Sequence, residues 1–296
     1  YWERRCPTDM ELPNVSKTGV GTTMEDTAKT QVLEVSGLQV KLKTDAGAVS
    51  LLEPIHFELK KGRVLGLVGE SGSGKTVTCN ALLQLLDRQT MDVEGSVRLN
   101  GRELNGMPAE EMRRIRGKEI AFIMQNPMRA FTPVYTIGAQ FMETIRTHTG
   151  LTKQQARDLA ITALENMNLP NPAKLMKRYS FQLSGGMLQR VMIAISMCLR
   201  PAVVIADEPT TALDVVNQLQ VLRELDRLRT EYDTSILLIS HDLGVISQMA
   251  DEVAVMQRGR IVEQAEVFQL FDQPQHEYTK MLLQARPKLS LQGRNQ

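Results

Sequence analysis

Short apolar runs alternate with amphipathic stretches along most of this chain. Val64–Val68 and residues 120–124, 203–206 and 235–240 are too short for helices and apolar on both faces, which predicts buried strands. Ahead of them, residues 32–35 and 38–42 alternate apolar and polar positions. Residues 55–59 repeat that pattern after a Gly-containing break, which predicts antiparallel strands. Residues 95–101 read as a strand ending in an Asn100-Gly101 turn. Pro108, Glu110 and Glu111 precede Arg113 and Arg114, an order that suits the dipole of a short helix over 108–115. Ala156, Leu159, Ala160, Ala163, Leu164 and Met167 recur at helical spacing, inside a mostly helical stretch from 136 to 200. An amphipathic helix over 217–231, a hairpin around Arg258-Gly259 and a helical stretch over 264–284 complete the pattern. Strands alternating with helices predict an α/β fold with a parallel sheet, preceded by an antiparallel β-subdomain and interrupted by a helical subdomain.

Composition narrows the function classes. A formal net charge of +1 over 296 residues leaves no basic footprint for nucleic acid, so no nucleic-acid partner is expected. Cys6, Cys79 and Cys198 are too far apart for a metal cluster and read as free thiols. No run approaches 18 apolar residues, so any membrane connection is expected to come through partners. Residues 1–30 are polar and without periodicity, reading as a disordered leader within which Met24 is a candidate start; residues 286–296 read as a polar tail. His56 falls on the polar side of a strand, and Met187, Met192 and Met197 read as packing residues.

Candidate chemistry begins at Gly69-Glu70-Ser71-Gly72-Ser73-Gly74-Lys75-Thr76, which fits G-x-x-x-x-G-K-[ST] between a strand and a helix start. Its glycines let backbone N–H groups close on a triphosphate, helped by the helix N-terminus. Lys75 then reaches the β- and γ-phosphates, and the Thr76 hydroxyl holds Mg²⁺. Ligands of α/β sheets bind beyond the carboxyl ends of the strands. Three further runs end in polar groups: Gln125, the Asp207-Glu208 pair and His241. Asp207 is placed to organise Mg²⁺, with water between them, and Glu208 to polarise the attacking water. His241 is placed to contact the γ-phosphate and hold Glu208, and Gln125 to sense Mg²⁺ and the water. Ser184-Gly185-Gly186-Met187 opens another helix as a second anion cradle, which a dimer can close over the nucleotide of its partner.

Taken in order, the phosphate loop, Gln125, Leu183-Ser184-Gly185-Gly186, Ala206-Asp207-Glu208-Pro209, Ala212-Leu213-Asp214 and Ser240-His241-Asp242 resemble the ATP-binding cassette (ABC) motifs over residues 31–285. The resemblance implies a P-loop NTPase fold of the ABC type, ATP and Mg²⁺ as ligands, and Asp214 as a residue of dimer communication. It further implies a head-to-tail pair with a second, similar ATPase, two membrane permeases and an extracytoplasmic solute-binding protein, at the cytoplasmic face of the inner membrane. Met187 in the signature and His276-Glu277-Tyr278-Thr279 near the end resemble the oligopeptide and nickel importer branch. Ile123-Met124-Gln125-Asn126-Pro127 and Ile261-Val262-Glu263-Gln264 resemble the D-type ATPase of nickel or metallophore importers, so nickel or a metal–metallophore complex is the expected cargo, with di- or oligopeptides the alternative. An ABC ATPase acting on nucleic acid is the reading from another class. Residues 40–42 lack the aromatic with which relatives stack on adenine.

Overall fold

The computed structural model describes residues 31–45, 47–211 and 213–284. The expected leader over 1–30 and tail over 286–296 lie outside the described residues. The strands, in chain order, are β1 (Gln31–Thr44), β2 (Gly47–Lys60), β3 (Val64–Val68), β4 (Met91–Leu99), β5 (Arg102–Glu103), β6 (Ile120–Ile123), β7 (Val203–Asp207), β8 (Ser235–Ile239), β9 (Glu252–Gln257) and β10 (Arg260–Glu266). The helices are α1 (Lys75–Leu82), α2 (Ala109–Ile115), α3 (Ile137–His148), α4 (Lys153–Asn166), α5 (Pro172–Leu175), α6 (Gly185–Met197), α7 (Val215–Tyr232), α8 (Leu243–Met249), α9 (Val267–Asp272) and α10 (Glu277–Gln284).

Two sheets organise these elements. One is antiparallel, in the order β2-β1-β4-β5; the other has the order β10-β9-β3-β8-β7-β6, parallel from β9 to β6 with β10 antiparallel at one edge. The apolar strands of the second sheet are covered on both faces, as parallel strands require. Successive residues divide between two cores: Val204, Ala206, Ile236 and Leu238 face the helical side with Phe141, Leu164 and Val191. Val203, Ile205, Leu237 and Ile239 face the antiparallel sheet and α1 with Leu33, Leu59 and Leu82. Period-two alternation thus persists within runs that are apolar throughout.

The helical side is built from α3, α4 and α6, whose starts are set by side chains. Thr136 and Thr152 accept hydrogen bonds from Ala139 and Gln155 N–H groups, and Gln155 returns the bond to Thr152. Ser184 caps α6 through Met187 N–H at 3.3 Å. Met192 is buried and Met187 and Met197 pack partly buried against the core, the packing role their spacing suggests.

The structure corrects the pattern reading in several places, beginning with β2, which starts at Gly47 and runs through the break expected before residues 55–59. Residues 32–35 and 38–42 belong to one strand, interrupted by an irregularity between Val35 and Leu38. Residues 264–284 are not continuously helical: β10 pairs with β9 as far as Glu266 opposite Glu252, and two short helices follow. Pro274 stands in the break between α9 and α10, where it disfavours helix at Gln273. The helix expected over 217–231 starts earlier, because the Asp214 carboxylate accepts from Asn217 N–H at 2.9 Å and caps it.

Phe141 is fully buried between the helices and the sheet. Phe141→Ala is expected to cost about 3–5 kcal/mol, the range for deleting a buried ring. Denaturant unfolding checks this, and a loss below about 1 kcal/mol would show a site that collapses around the missing ring.

Candidate functional site

Parallel register brings the polar strand ends together. Leu67 pairs with Ile239, Ile239 with Asp207, and Ala206 with Ile123, so β3, β8, β7 and β6 finish at one edge. A cleft of about 620 Å³ opens there, lined by Ser71, Gly72, Gly74, Lys75, Thr76, Gln125, Glu208 and His241, together with Leu51, Val77 and Thr211. The four strand ends that the sequence sets apart by up to 172 residues therefore share one site.

The phosphate loop is held from behind. Gly69 has φ of 155°, and a Cβ there would lie 2.2 Å from the Met256 carbonyl of β9, so only glycine fits. Gly259, in the β9–β10 turn, donates its N–H to the Ser73 carbonyl at 2.8 Å. Glu70 N–H donates to the Tyr278 hydroxyl at 3.1 Å. The loop ends at Gly74, after which α1 begins and presents the first-turn N–H groups that a helix leaves unpaired.

Lys75 is buried and folded back on the loop. Its ammonium donates to the carbonyls of Gly69 and Glu70, both at 2.8 Å, and to Ser73 Oγ at 3.4 Å. Burial lowers the pKa of this ammonium, against the opposing pull of Glu208 and Asp207. The Asp207 carboxyl is pushed above its usual range by burial first and by neighbouring Glu208 second. Thr76 and Lys75 oppose that shift. The Thr76 hydroxyl donates to Asp207 Oδ2 at 3.4 Å.

Glu208 is the most heavily constrained residue of the cleft. Its backbone lies in the left-handed region at φ 48°, a conformation costing on the order of 1 kcal/mol for a residue with a side chain. Its N–H bonds the Ile239 carbonyl at 2.9 Å. Its carboxylate accepts from Gln125 Nε2 at 2.7 Å and Thr211 Oγ1 at 2.9 Å, and faces His241 Nδ1 at 3.1 Å. Three elements thus converge on one carboxylate.

Among the described residues no group of three or more His, Cys, Asp or Glu side chains forms a metal cage. A hydroxyl and one carboxylate beside a phosphate loop suit Mg²⁺, which keeps waters and takes its other oxygens from substrate phosphates. The second cradle lies elsewhere. Ser184 and Gly185 are exposed, and Gly186 packs near Leu213 and Asn217. Neither Ser184–Met187 nor Asp214 lines the phosphate cleft of the same chain. The signature helix is tied to the β7 end instead, where Gln189 Nε2 donates to the Pro209 carbonyl at 2.9 Å.

Leu51, Val77 and Thr211 are site residues that sequence reasoning did not single out, and Tyr278 enters the sequence reading only as part of a branch motif, without a place at the phosphate loop. Leu51 and Val77 give the cleft an aliphatic wall near the region expected to lack a stacking aromatic. Thr211 follows the Asp207-Glu208 pair by three residues, a spacing visible in the sequence once Glu208 is known to need a donor.

Asp207 held charged while buried is a cost to the ligand-free chain. Asp207→Asn is expected to raise its thermal midpoint, because it removes a carboxylate whose charged form burial disfavours. Because the folded-state pKa is raised, the gain is present at neutral pH. It fades as pH falls through that pKa and wild-type Asp207 becomes neutral as well. Calorimetry across pH checks this, and a variant less stable at neutral pH contradicts it.

A family model described as ABC transporter matches residues 52–211. A putative peptide import ATP-binding protein of Brucella abortus is 45% identical over 258 residues, covering 87% of this chain and 78% of that protein. The oligopeptide transport ATP-binding protein OppD of Salmonella typhimurium is 42% identical over 262 residues, covering 88% and 78%. Among solved structures, a dimeric ATP-binding cassette in a post-hydrolysis state bound to ADP and Pi has a TM-score of 0.71. It is 22% identical and covers 79% of this chain and 98% of that one, a likeness of fold. The chain belongs to the ABC transporter family, as an ATPase cassette of its peptide, oligopeptide and glutathione import branch.

Proposed function

We propose that this chain hydrolyses Mg²⁺-bound ATP to drive the import of peptides, and that its cleft residues carry the chemistry the motifs suggest. The observation that bears most weight is the Glu208 carboxylate, fixed by Gln125, Thr211 and His241 beside Lys75 and the Thr76–Asp207 pair. In this reading the N–H groups from Gly69 to Thr76 and the Lys75 ammonium take the phosphates. Lys75 moves from the carbonyls of Gly69 and Glu70 to phosphate oxygens, exchanging neutral acceptors for charged ones. Thr76 and Asp207 would hold Mg²⁺, which supplies charge neutralisation at the phosphates. Glu208 accepts the proton of the attacking water, with His241 and Gln125 keeping its oxygens aligned.

Ser184, Gly185, Gly186 and Met187 close on the nucleotide of a second cassette, with Asp214 beside them at the start of α7. The exposure of Ser184, Gly185 and Asp214 outside the cleft, and exposed Phe181, Val215 and Val216 nearby, support a face completed by a partner. The partner is a similar but distinct ATPase, giving a heterodimer that works two permeases supplied by an extracytoplasmic binding protein. No described helix is long and apolar enough to cross a membrane, which suits a peripheral subunit at the inner-membrane surface. Residues 31–285 act as one cassette in this account, with 136–200 as its helical part.

Peptide import takes precedence over the nickel or metallophore cargo expected from the local motifs. The relatives reported above are named for peptide and oligopeptide transport, and a glutathione import protein of Salmonella typhimurium is 43% identical over 264 residues, matching 42% of its own length.

Glu208→Gln is expected to retain ATP binding and lose about 10²- to 10⁴-fold in turnover, the range for a general base. Turnover near wild type would remove Glu208 from that role. Lys75→Ala is expected to weaken ATP binding, and unchanged affinity would count against the cradle. Cargo is tested in the native cell: loss of this chain should abolish uptake of a labelled tripeptide, restored by wild type and not by Lys75→Ala. Intact tripeptide uptake with lost nickel uptake would return the assignment to nickel.

A further inference from the structure

His276-Glu277-Tyr278-Thr279 is a motif to which the ATP chemistry assigns no task, yet it reaches the phosphate loop. Tyr278 is 5% exposed, and its hydroxyl accepts the Glu70 N–H at 3.1 Å across 208 positions of sequence. The carbonyl of the same Glu70 accepts from Lys75 Nζ at 2.8 Å. One loop residue is thus held by its N–H from α10 and by its carbonyl from the lysine of the cradle.

The tyrosine is itself anchored. Glu263, on β10, accepts the N–H groups of Gln275 at 2.8 Å and His276 at 3.0 Å. His276 Nδ1 accepts the Tyr278 N–H at 3.1 Å, and the His276 carbonyl accepts from Lys280 N–H at 3.1 Å. These bonds fix the first turn of α10 against the edge of the sheet whose β3 carries the loop. The β9–β10 turn grips the other end of the loop through Gly259 and Ser73. Both anchors therefore come from one hairpin.

We propose that Tyr278 is a positioning residue for ATP binding: its hydroxyl holds the start of the phosphate loop, and with it the Lys75 anchor, in the geometry that receives phosphate. The inference rests on the ATP reading above. A loop already ordered has less conformational freedom to lose when ATP binds. Removing the hydroxyl therefore acts on affinity, while the chemistry of the bound state, carried by Glu208 and its partners, is left as it was.

The test is a titration of the full-length purified chain with MgATP, read by a fluorescent ATP analogue and its displacement, beside turnover at saturating MgATP. Tyr278→Phe keeps the ring and removes one neutral hydrogen bond, so Kd and KM are expected to rise about fivefold. Its kcat should stay within about twofold, since that bond is made equally in ground and transition states. Leu282→Ala removes packing from the same helix without touching the hydroxyl. It is expected to lower the thermal midpoint and leave Kd unchanged. Wild-type affinity in Tyr278→Phe overturns the inference alone, as does an equal loss of affinity in Leu282→Ala, which would make the role one of packing. A wild-type chain that binds no MgATP overturns the ATP reading itself.

Discussion

The parallel register of β3, β8, β7 and β6 is the constraint on which the rest depends. A one-residue slip in any of these pairings would exchange the two faces of that strand between the two cores. It would also displace the group at its end, whether the phosphate loop, His241, Asp207-Glu208 or Gln125. Burial on both faces makes such a slip expensive, since Val204 and Val203, adjacent in sequence, fill different cores. The packing that stabilises the sheet therefore also places the chemistry.

On that scaffold the chain accepts local costs. Lys75 and Asp207 are buried, the latter pushed toward neutrality, and Glu208 sits in a left-handed conformation. Each is held by hydrogen bonds from separate parts of the chain. Such strain and burial collect at functional sites, where surrounding structure over-determines them. In the proposed reading, a bound nucleotide with its cation would bring positive charge to the carboxylates and negative charge to the lysine, offsetting these costs.

Much of this was legible from sequence because the signals are local. Four short apolar runs announce buried strands, and the glycines and lysine of the phosphate loop carry their geometry in their spacing. What was not legible depends on distant partners. Tyr278 meets Glu70 across 208 residues, and no periodicity within residues 264–284 reveals that contact or the continuation of β10 to Glu266. Leu51 reaches the cleft from the part of β2 ahead of Ile55, where the sequence pattern shows only a break between strands. Cargo is less legible for a related reason: Ile123–Pro127 and Ile261–Gln264, whose motifs resemble nickel importers, form the cassette's own strands and loops, while the relatives are named for peptide and oligopeptide import.

Ser184 and Gly185 are exposed away from the cleft, and in the proposed reading this cradle serves the nucleotide of another cassette. Affinity purification of the full-length chain from membranes of its native cell, with mass spectrometry of what is retained, tests this most directly. The account predicts two multi-span permeases and a second ATPase cassette. Recovery of soluble nucleic-acid proteins in their place would contradict the transport reading, while leaving the ATP chemistry of the cleft intact.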